Sequence, residues 1–341
     1  MFMNVVLLFG GVSEEYEISL RSAAAILSAF PLTHTAIPVG IDREGGWYRT
    51  SASPAAIAAD AWRENASPIL LDPCRHVLLD GDCPLSADVV FPLLHGGLGE
   101  GGGVAALLEL LGLPYVGCRM LAGALALDKI LAKRLAAAVG IPTARFLAVT
   151  AEELADPTLP DRLLATLGDR VFVKPVSGGS SVGASLVTER AGLLPALAAA
   201  LAHGGCALCE EYIEGSEVET ALLERDGELL VSTVGEIEAG AVFYDYNAKY
   251  CEKTSRIFIP ARIPKEARAR VREYAARLFR TLGCRGLSRV DFFVRSDGSV
   301  LFNEINTMPG FTDVSMYPRL FATAGLAMPE LVSVLIENAV R

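Results

Sequence analysis

Residues Gly286–Gly310 read GLSRVDFFVRSDGSVLFNEINTMPG. Two apolar runs flank Asp297-Gly298, a dipeptide that favours a two-residue hairpin turn because that turn needs positive φ. Folding about it sets Ser296 against Ser299 and, further out, Asp291 against Glu304 and Arg289 against Asn306. Side chains alternate along a strand, so these four share one face. Two opposed carboxylates about 5 Å apart repel by about 3 kcal/mol at an effective dielectric of about 20. A cation therefore belongs between them. The oxygens of Asp291, Glu304 and Asn306 suit a hard ion such as Mg²⁺, which bridges carboxylates and nucleotide phosphates. The alternative is that Arg289 neutralises the pair as a salt-bridge cluster.

Upstream, Val173–Gly183 reads VKPVSGGSSVG: a lysine ends an apolar run and a Gly/Ser loop follows. The order is the reverse of a P-loop, in which the glycine loop precedes Lys-Ser/Thr. Protein kinases also cover phosphates with a flexible glycine loop and bring the lysine from a separate strand. Backbone N–H groups in such a loop favour anions, although a plain surface hairpin would be Gly-rich as well. A Mg²⁺ site beside this cradle makes ATP the ligand on which both stretches agree. A third glycine string, GLGEGG, matches G-x-G-x-x-G at Gly97, Gly99 and Gly102. A dinucleotide site also needs an acidic residue about twenty positions on, at the end of the next strand. The next strand, PYVG, ends without one.

The chain has 341 residues, enough for two or three domains, and a net charge of −10, which argues against a nucleic-acid partner. Its start, MFMNVVLLFGG, lacks a basic leader and soon meets Glu14, Glu15 and Glu17. It reads as a first strand, not a signal peptide. No apolar run approaches the ~20 residues needed to span a bilayer. The expectation is a soluble, cytoplasmic protein with no membrane partner. Seven scattered cysteines look like reduced thiols. In HGGCALC, a strand would point Cys206 and Cys209 to opposite faces, where they cannot share a zinc ion.

Strand-like NVVLLF, TAIPVGI, DVVFPLLH and LPYVG alternate with helical segments after Ser13 and Gly103, the pattern of a parallel α/β sheet. One long helix is expected over Met120–Val139. The middle third alternates again through RVFVKPV, ASLVT, a helix near Leu193–Ala202 and CALCEEYI. The last third opens with apolar segments and a long loop, GEIEAGAVFYDYNAKYCEKTSRIFIP. A helix over Lys265–Leu282, the hairpin, and a C-terminal helix from about Met328 complete it.

FGGVSEEYEISL, HGGLGE, ALDK, VKPVSGGSSVG, EEYIEGSEVE, FYDYNAKY, SRVDFF and NEINTMPGFTDVSMYP follow one another along the chain. In content and order they resemble the D-alanine–D-alanine ligases of the ATP-grasp superfamily, over essentially the whole length. The resemblance implies an α/β, three-domain ATP-grasp architecture: an N-terminal parallel α/β (Rossmann-like) domain over residues 1–122, a central subdomain over 123–213, and a C-terminal subdomain over 214–341 with the lid loop and metal site. It implies that Lys129, Lys174, Ser180, Ser181 and Lys249 serve ATP phosphates. Glu210, Glu211, Tyr212 and Ile213 would lie at the adenine and Glu217 at the ribose, with Phe293 also among the ATP-binding residues. Asp291, Glu304 and Asn306 match the family's ligands for Mg²⁺ or Mn²⁺, with two ions expected.

On the substrate side the resemblance implies that Glu15 holds the ammonium of the first D-alanine, with His95 close by. Glu15, Ser180 and Tyr250 would form a hydrogen-bonded triad. Ser315, followed by Met316, would take the second carboxylate, while Arg289 and the backbone near Gly310 stabilise the oxyanion. Tyr244, Lys249 and Tyr250 lie in the implied lid. The reaction implied is a two-step ligation through an acyl phosphate, serving peptidoglycan synthesis, by a homodimer. The chain departs from the family's pattern at Gly101 (after Glu100), Ala105 and Tyr16, which puts the tightness of the first-substrate pocket in doubt. GIDREGGWYR and SEEYEIS are similar to ligases that join D-alanine to D-serine, while Tyr244, Tyr250 and Met316 favour the D-Ala–D-Ala type over D-serine or D-lactate. A catalytically silent nucleotide-binding homologue is a further alternative, and its mark would be a broken metal set or lid.

Overall fold

The alternating apolar segments fold into three β-sheets flanked by helices. The computed structural model describes residues 2–179, 182–238 and 256–341. The first sheet contains β1 (Asn4–Gly10), β2 (Thr35–Ile41), β3 (Trp47–Arg49), β4 (Ser67–Asp72), β5 (Val77–Asp80), β6 (Cys83–Pro84) and β7 (Val89–Leu93), in the order β6-β5-β4-β3-β2-β1-β7. Only β1 pairs parallel, with β2 on one side and β7 on the other; β3 to β6 extend the sheet antiparallel. The expected parallel sheet is thus the inner part of a mixed one. The links from β2 to β3, from β4 to β5 and from β5 to β6 are short turns, and such strands can only pair antiparallel, since a parallel crossover needs about a dozen or more residues. LPYVG forms no strand; Tyr115 makes a single parallel bridge to Val90.

The second sheet joins β8 (Phe146–Thr150), β9 (Val171–Pro175), β10 (Ser185–Val187) and β11 (Cys206–Glu211) in the order β10-β9-β11-β8, all antiparallel. Helices Leu159–Leu167 and Leu193–Leu201 pack on one face against Val149, Val171, Val173, Ala207 and Cys209. Leu208 and Glu210 alternate to the other face. Cys206 lies with them, opposite Cys209, as strand parity requires.

The third sheet runs β14-β13-β12-β15-β16, from β12 (Ser216–Arg225), β13 (Glu228–Glu238), β14 (Arg256–Phe258), β15 (Leu287–Val294) and β16 (Val300–Asn306). The helix Lys265–Thr281 covers its outer face through Ala267, Val271, Ala275, Leu278 and Phe279, the i, i+4, i+8 stripe of an amphipathic helix. The C-terminal helices Met316–Thr323 and Met328–Ala339 instead share a core with the first sheet, where Phe311 stands edge-on to Phe91 at 5.9 Å. No single helix among the described residues is long and apolar enough to cross a membrane.

Two local outcomes position the site. The β15–β16 turn is one residue longer than expected: Gly298 N donates to Arg295 O at 2.9 Å, Arg295 N donates to Ser299 O at 3.0 Å, and Gly298 alone takes positive φ, +81°. A two-residue turn would drive Asp297 left-handed too, which costs an L-residue roughly 1–2 kcal/mol. Near the turn the strands therefore pair one residue out of the expected register, Val294 with Val300. An extra residue, Asn303, then bulges between Phe302 and Glu304 and cancels the offset. Asp291 faces Glu304 and Arg289 faces Asn306 after all.

The second outcome is a break in the expected Met120–Val139 helix. It forms as Met120–Leu127 and Lys129–Ala138, with Asp128 extended between them and its carboxylate capping Leu131 N at 2.8 Å. The cap satisfies a free N–H of the second helix and turns Lys129 inward.

Candidate active site

A single cleft collects residues from all three sheets: Glu15, His95 and Glu100 from the first, Lys129 and Gly178–Gly179 from the middle, Glu217, Glu219, Arg289, Asp291, Glu304 and Asn306 from the third, with Met308, Gly310, Ser315 and Met316 beyond. On its acidic wall, Glu219, Asp291 and Glu304 stand in a row across β12, β15 and β16. Arg289 reaches into that row. Its Nε donates to Asp291 Oδ1 at 2.8 Å and lies 2.9 Å from Glu219 Oε2, and its Nη2 donates to Asp291 Oδ2 at 2.7 Å. Burial works against the Arg289 charge, but the Asp291 and Glu219 carboxylates outweigh it and hold the guanidinium well above its ordinary range. Asn306 Nδ2 also donates to Asp291 Oδ2, at 3.1 Å. Arg289 thus neutralises part of this wall, as one sequence reading had it, and Asp291, Glu304 and Asn306 still present adjacent oxygen donors on one face. That donor set fits a hard divalent ion.

Lys129 also lines the cleft, and Lys174 and Lys133 are buried close to it. Lys129 Nζ donates to Gly178 O at 2.5 Å, inside the Gly/Ser loop, and sits 3.8 Å from Glu304 Oε2. Burial lowers its pKa, against the pull of Glu304. Lys174, near the end of β9, lies 2.6 Å from Glu210 Oε2 and donates to Asn303 Oδ1 at 3.2 Å. Lys133 lies 2.6 Å from Glu210 Oε1 and donates to Phe302 O at 3.2 Å. Burial alone would raise Glu210; the two lysines bring it below the ordinary carboxylate range. Next along the strand, Glu211 points away and pairs with Arg145 at 2.8 Å and Arg295 at 3.4 Å. The Tyr212 ring lies under Arg170, 3.7 Å from its guanidinium carbon. Ile213 and Phe293 join Ala144 and Leu301 in a small apolar cluster, with Glu217 opposite Phe293 on the neighbouring strand.

At the other end Glu15 is buried just before the helix Tyr16–Ser28. Its carboxylate is enclosed by two glycines: a Cβ on Gly96 would come within 2.6 Å of Glu15 Oε2, and one on Gly179 within 2.3 Å. The Gly/Ser loop therefore touches the Glu15 carboxylate, an approach only glycine permits. His95 bridges the first sheet to the loop after β16. Its Nδ1 is 2.9 Å from the Met308 carbonyl, which can only accept, so the proton sits on Nδ1 and Nε2 accepts from Ser22 Oγ at 3.0 Å. Burial keeps His95 below its ordinary range and neutral. Ser315 Oγ accepts from Thr312 N at 3.1 Å and lies 2.8 Å from Thr312 Oγ1; a Cβ on Gly310 would meet it at 2.8 Å. Met316 starts the next helix, its sulfur against Gly235.

The departures from the family pattern are packed into the structure. Tyr16 is buried, with its hydroxyl donating to Asp60 at 2.9 Å and accepting from Trp62 Nε1 at 3.0 Å. A Cβ on Gly101 would strike Leu127 at 2.7 Å, and Ala105 is buried in the core of the first sheet. Ser180, Ser181, Tyr244, Lys249 and Tyr250 lie outside the described residues. Sequence reading gave no part to Lys133, Glu219, Asn303, Thr312 or Ser22. Two of these carried a signal: Lys133 follows Lys129 by one helical turn, and Glu219 shares a strand face with Glu217.

Family models for the N-terminus and C-terminus of D-ala D-ala ligases match residues 4–118 and 135–337. The chain belongs to the D-alanine–D-alanine ligase family. It is 42% identical to the D-alanine–D-alanine ligase of Acetivibrio thermocellus over 364 residues, covering 99% of this chain and 96% of that one. With the enzyme of Chlorobium luteolum it shares 44% over 351 residues, covering 99% and 97%. Among solved structures, the VanG D-Ala:D-Ser ligase from Enterococcus faecalis superposes with a TM-score of 0.90 at 37% identity, covering 99% of this chain and 100% of that one. The D-alanine-D-alanine ligase from Coxiella burnetii gives 0.85 at 33%, covering 99% and 95%. The chain is an ATP-dependent ligase with the ATP-grasp fold of these enzymes.

Proposed function

We propose that this ligase joins two molecules of D-alanine into D-alanyl-D-alanine for peptidoglycan precursors. The observation that carries the reading is the meeting of three groups in one cleft: the Arg289–Asp291–Glu304–Asn306 face, Lys129 with the Gly/Ser loop, and the enclosed Glu15 carboxylate. Lys129 and Lys174, with Lys249 and the serines of the loop, hold the ATP phosphates. Asp291, Glu304 and Asn306 hold the divalent ions, two of Mg²⁺ or Mn²⁺, whose charge offsets that gathering on the phosphates. Glu217 takes the ribose, and the Glu210–Ile213 segment with Phe293 takes the adenine.

Glu15 pairs with the ammonium of the first D-alanine and leaves its carboxylate facing the γ-phosphate. Attack on phosphorus gives an acyl phosphate and ADP. The amine of the second D-alanine, held through its carboxylate by Ser315, attacks the acyl carbon. Arg289 and the backbone at Gly310 stabilise the tetrahedral oxyanion, and the C–O bond to phosphate breaks. Much of the first step is positioning and charge neutralisation. Thr312 orients the Ser315 hydroxyl, and His95 fixes the Met308–Gly310 backbone against the first sheet. We take the three sheets as the centres of domains at 1–122, 123–213 and 214–341, working as a cytoplasmic homodimer, in keeping with the family resemblance.

The superposition on the VanG enzyme favours a second reading, ligation of D-alanine to D-serine. One experiment separates them: ADP release with ATP, Mg²⁺ and each of D-Ala, L-Ala, D-Ala plus D-Ser, and D-Ala plus D-lactate, with products identified by mass. A D-Ala–D-Ala product and silence with L-Ala are expected. A mixed D-Ala–D-Ser product from equal concentrations moves the chain to the second reading. Nucleotide binding without ADP release would mark a silent homologue.

A further inference from the structure

We infer that Lys133 is a positioning residue of the nucleotide site: it neutralises Glu210 so that Lys174 keeps a net positive charge for a phosphate. This rests on the assignment of Lys174 to the ATP phosphates.

Lys133 has 1% of its side chain exposed, and Glu210 6%. The Glu210 carboxylate is shared between two ammonium groups, each 2.6 Å away: Lys133 on Oε1 and Lys174 on Oε2. Two lysines and one carboxylate in a row sum to +1. Take Lys133 away and the remaining pair sums to zero. A lysine closely paired with a single buried carboxylate has little attraction left for an anion, because a phosphate must compete with a partner that cannot be rehydrated. With Lys133 in place, the Glu210 charge is divided between two cations and Lys174 is correspondingly freer.

The backbone is arranged to keep this division. Lys133 lies four residues after Lys129, on the same helix face, because Asp128 caps and restarts the helix there. It is anchored by its bond to the Phe302 carbonyl, next to the bulged Asn303. The Asn303 side-chain oxygen in turn accepts a hydrogen bond from Lys174 Nζ. Glu210 and Asn303 engage two of the three N–H groups of Lys174, and a phosphate oxygen takes the third. The bulge that restores the hairpin register thus also supplies a neutral partner that orients Lys174 without cancelling its charge.

The test is a binding cycle read with two ligands, ATP–Mg²⁺ and adenosine, by calorimetry on the full chain. Lys133→Met should weaken ATP by about tenfold or more, the scale of one charged hydrogen bond. Adenosine, which has no phosphate, should change by less than about threefold. In a Glu210→Gln background the same Lys133→Met change should cost ATP almost nothing, because no carboxylate remains to cancel Lys174. Lys133→Gln, with melting curves for every variant, supplies a second measure if the Met variant does not fold. Equal losses for ATP and adenosine, an unchanged ATP affinity, or a loss that persists in the Glu210→Gln background would each overturn the inference. Failure of the site reading looks different: the unaltered protein would bind adenosine as tightly as ATP, or neither, and Lys174→Met would change nothing.

Discussion

Two carboxylates, Glu210 buried at the proposed nucleotide end and Glu100 half-buried at the proposed substrate end of the cleft, meet opposite fates. Glu210 sits between Lys133 and Lys174, and its pKa lies below the ordinary range despite burial. Glu100 accepts from Gly96 N at 3.1 Å and has Glu15 for a neighbour; burial first, and the Glu15 charge second, push it up to about 7. The nucleotide end has its cations built in and awaits an anion. The substrate end has an excess of carboxylates and awaits an ammonium. The difference fits a ligase that takes up a polyanion at one end and an amino acid, ammonium first, at the other. The acidic wall between them is intermediate, since Arg289 pairs with Asp291 and Glu219 and offsets part of its charge.

Breaking that intermediate case should have the largest effect. Arg289→Met leaves two carboxylates, at most 8% exposed, without their shared guanidinium. Removing one partner of a buried ion pair costs about 3–5 kcal/mol. Thermal unfolding should show it, and added Mg²⁺ without nucleotide should recover more of the melting temperature in the variant than in the parent. Because Arg289 is also the proposed oxyanion donor, kcat should fall by about 10²–10³-fold even where the protein stays folded. A variant with normal stability would mean that the acidic wall relaxes on its own, and that the arginine is not its counter-ion.

The legibility of these regions in the sequence follows how local their contacts are. The acidic wall lies within one hairpin, so parity alone brought Asp291 opposite Glu304. That reading succeeded through two compensating shifts, the three-residue turn and the Asn303 bulge, neither of which spacing reveals. The lysine cluster joins residues 129, 133, 174, 210 and 303, from four elements, and nothing in their spacing brings them together. Lys133 stands on an Ala-rich helix with no motif around it to single it out. Asp128 passed for an interior residue, although Asp is a cap former and poor in helix interiors. The parallel part of the first sheet was legible because β2 and β7 carry apolar runs, while its antiparallel extension was not, because β3 to β6 are two to six residues long and weakly patterned. Glu100 stood in a motif, but its environment comes from tertiary burial and from Glu15, which sequence distance hides.

Glu100 gives the next effect in size, and its sign depends on pH. A carboxyl with a folded pKa near 7 and an unfolded value near 4.5 keeps its proton longer when folded. Stability is therefore unpenalised below about pH 4.5 and falls as pH rises through the window up to about 7. The full difference is about 3 kcal/mol, at 1.36 kcal/mol per unit. Glu100→Gln stays neutral throughout. Its denaturant-derived stability should match the parent at pH 4.5 and exceed it by up to about 3 kcal/mol at pH 8. A constant gap across pH would show that the substrate end is not carrying a strained carboxylate, and the contrast with Glu210 would collapse.

The smallest effect sharpens the contrast within one strand. Glu210 and Glu211 are neighbours in β11 on opposite faces, and both pair with cations. The partners differ in exposure: Lys133 has 1% of its side chain in solvent, whereas Arg145 has 61%. An ion pair open to water gains little, because each charge gives up good hydration and salt screens what remains. Arg145→Met should therefore cost no more than about 1 kcal/mol, with the cost shrinking as salt is raised. Lys133→Met should cost more, with little dependence on salt, since the Glu210 carboxylate cannot recover water. Unfolding the two variants in urea at low and high salt makes the comparison directly. If both losses were equal and equally screened, solvent would reach Glu210, and the dry, pre-charged nucleotide end that sets this half of the cleft apart would not exist.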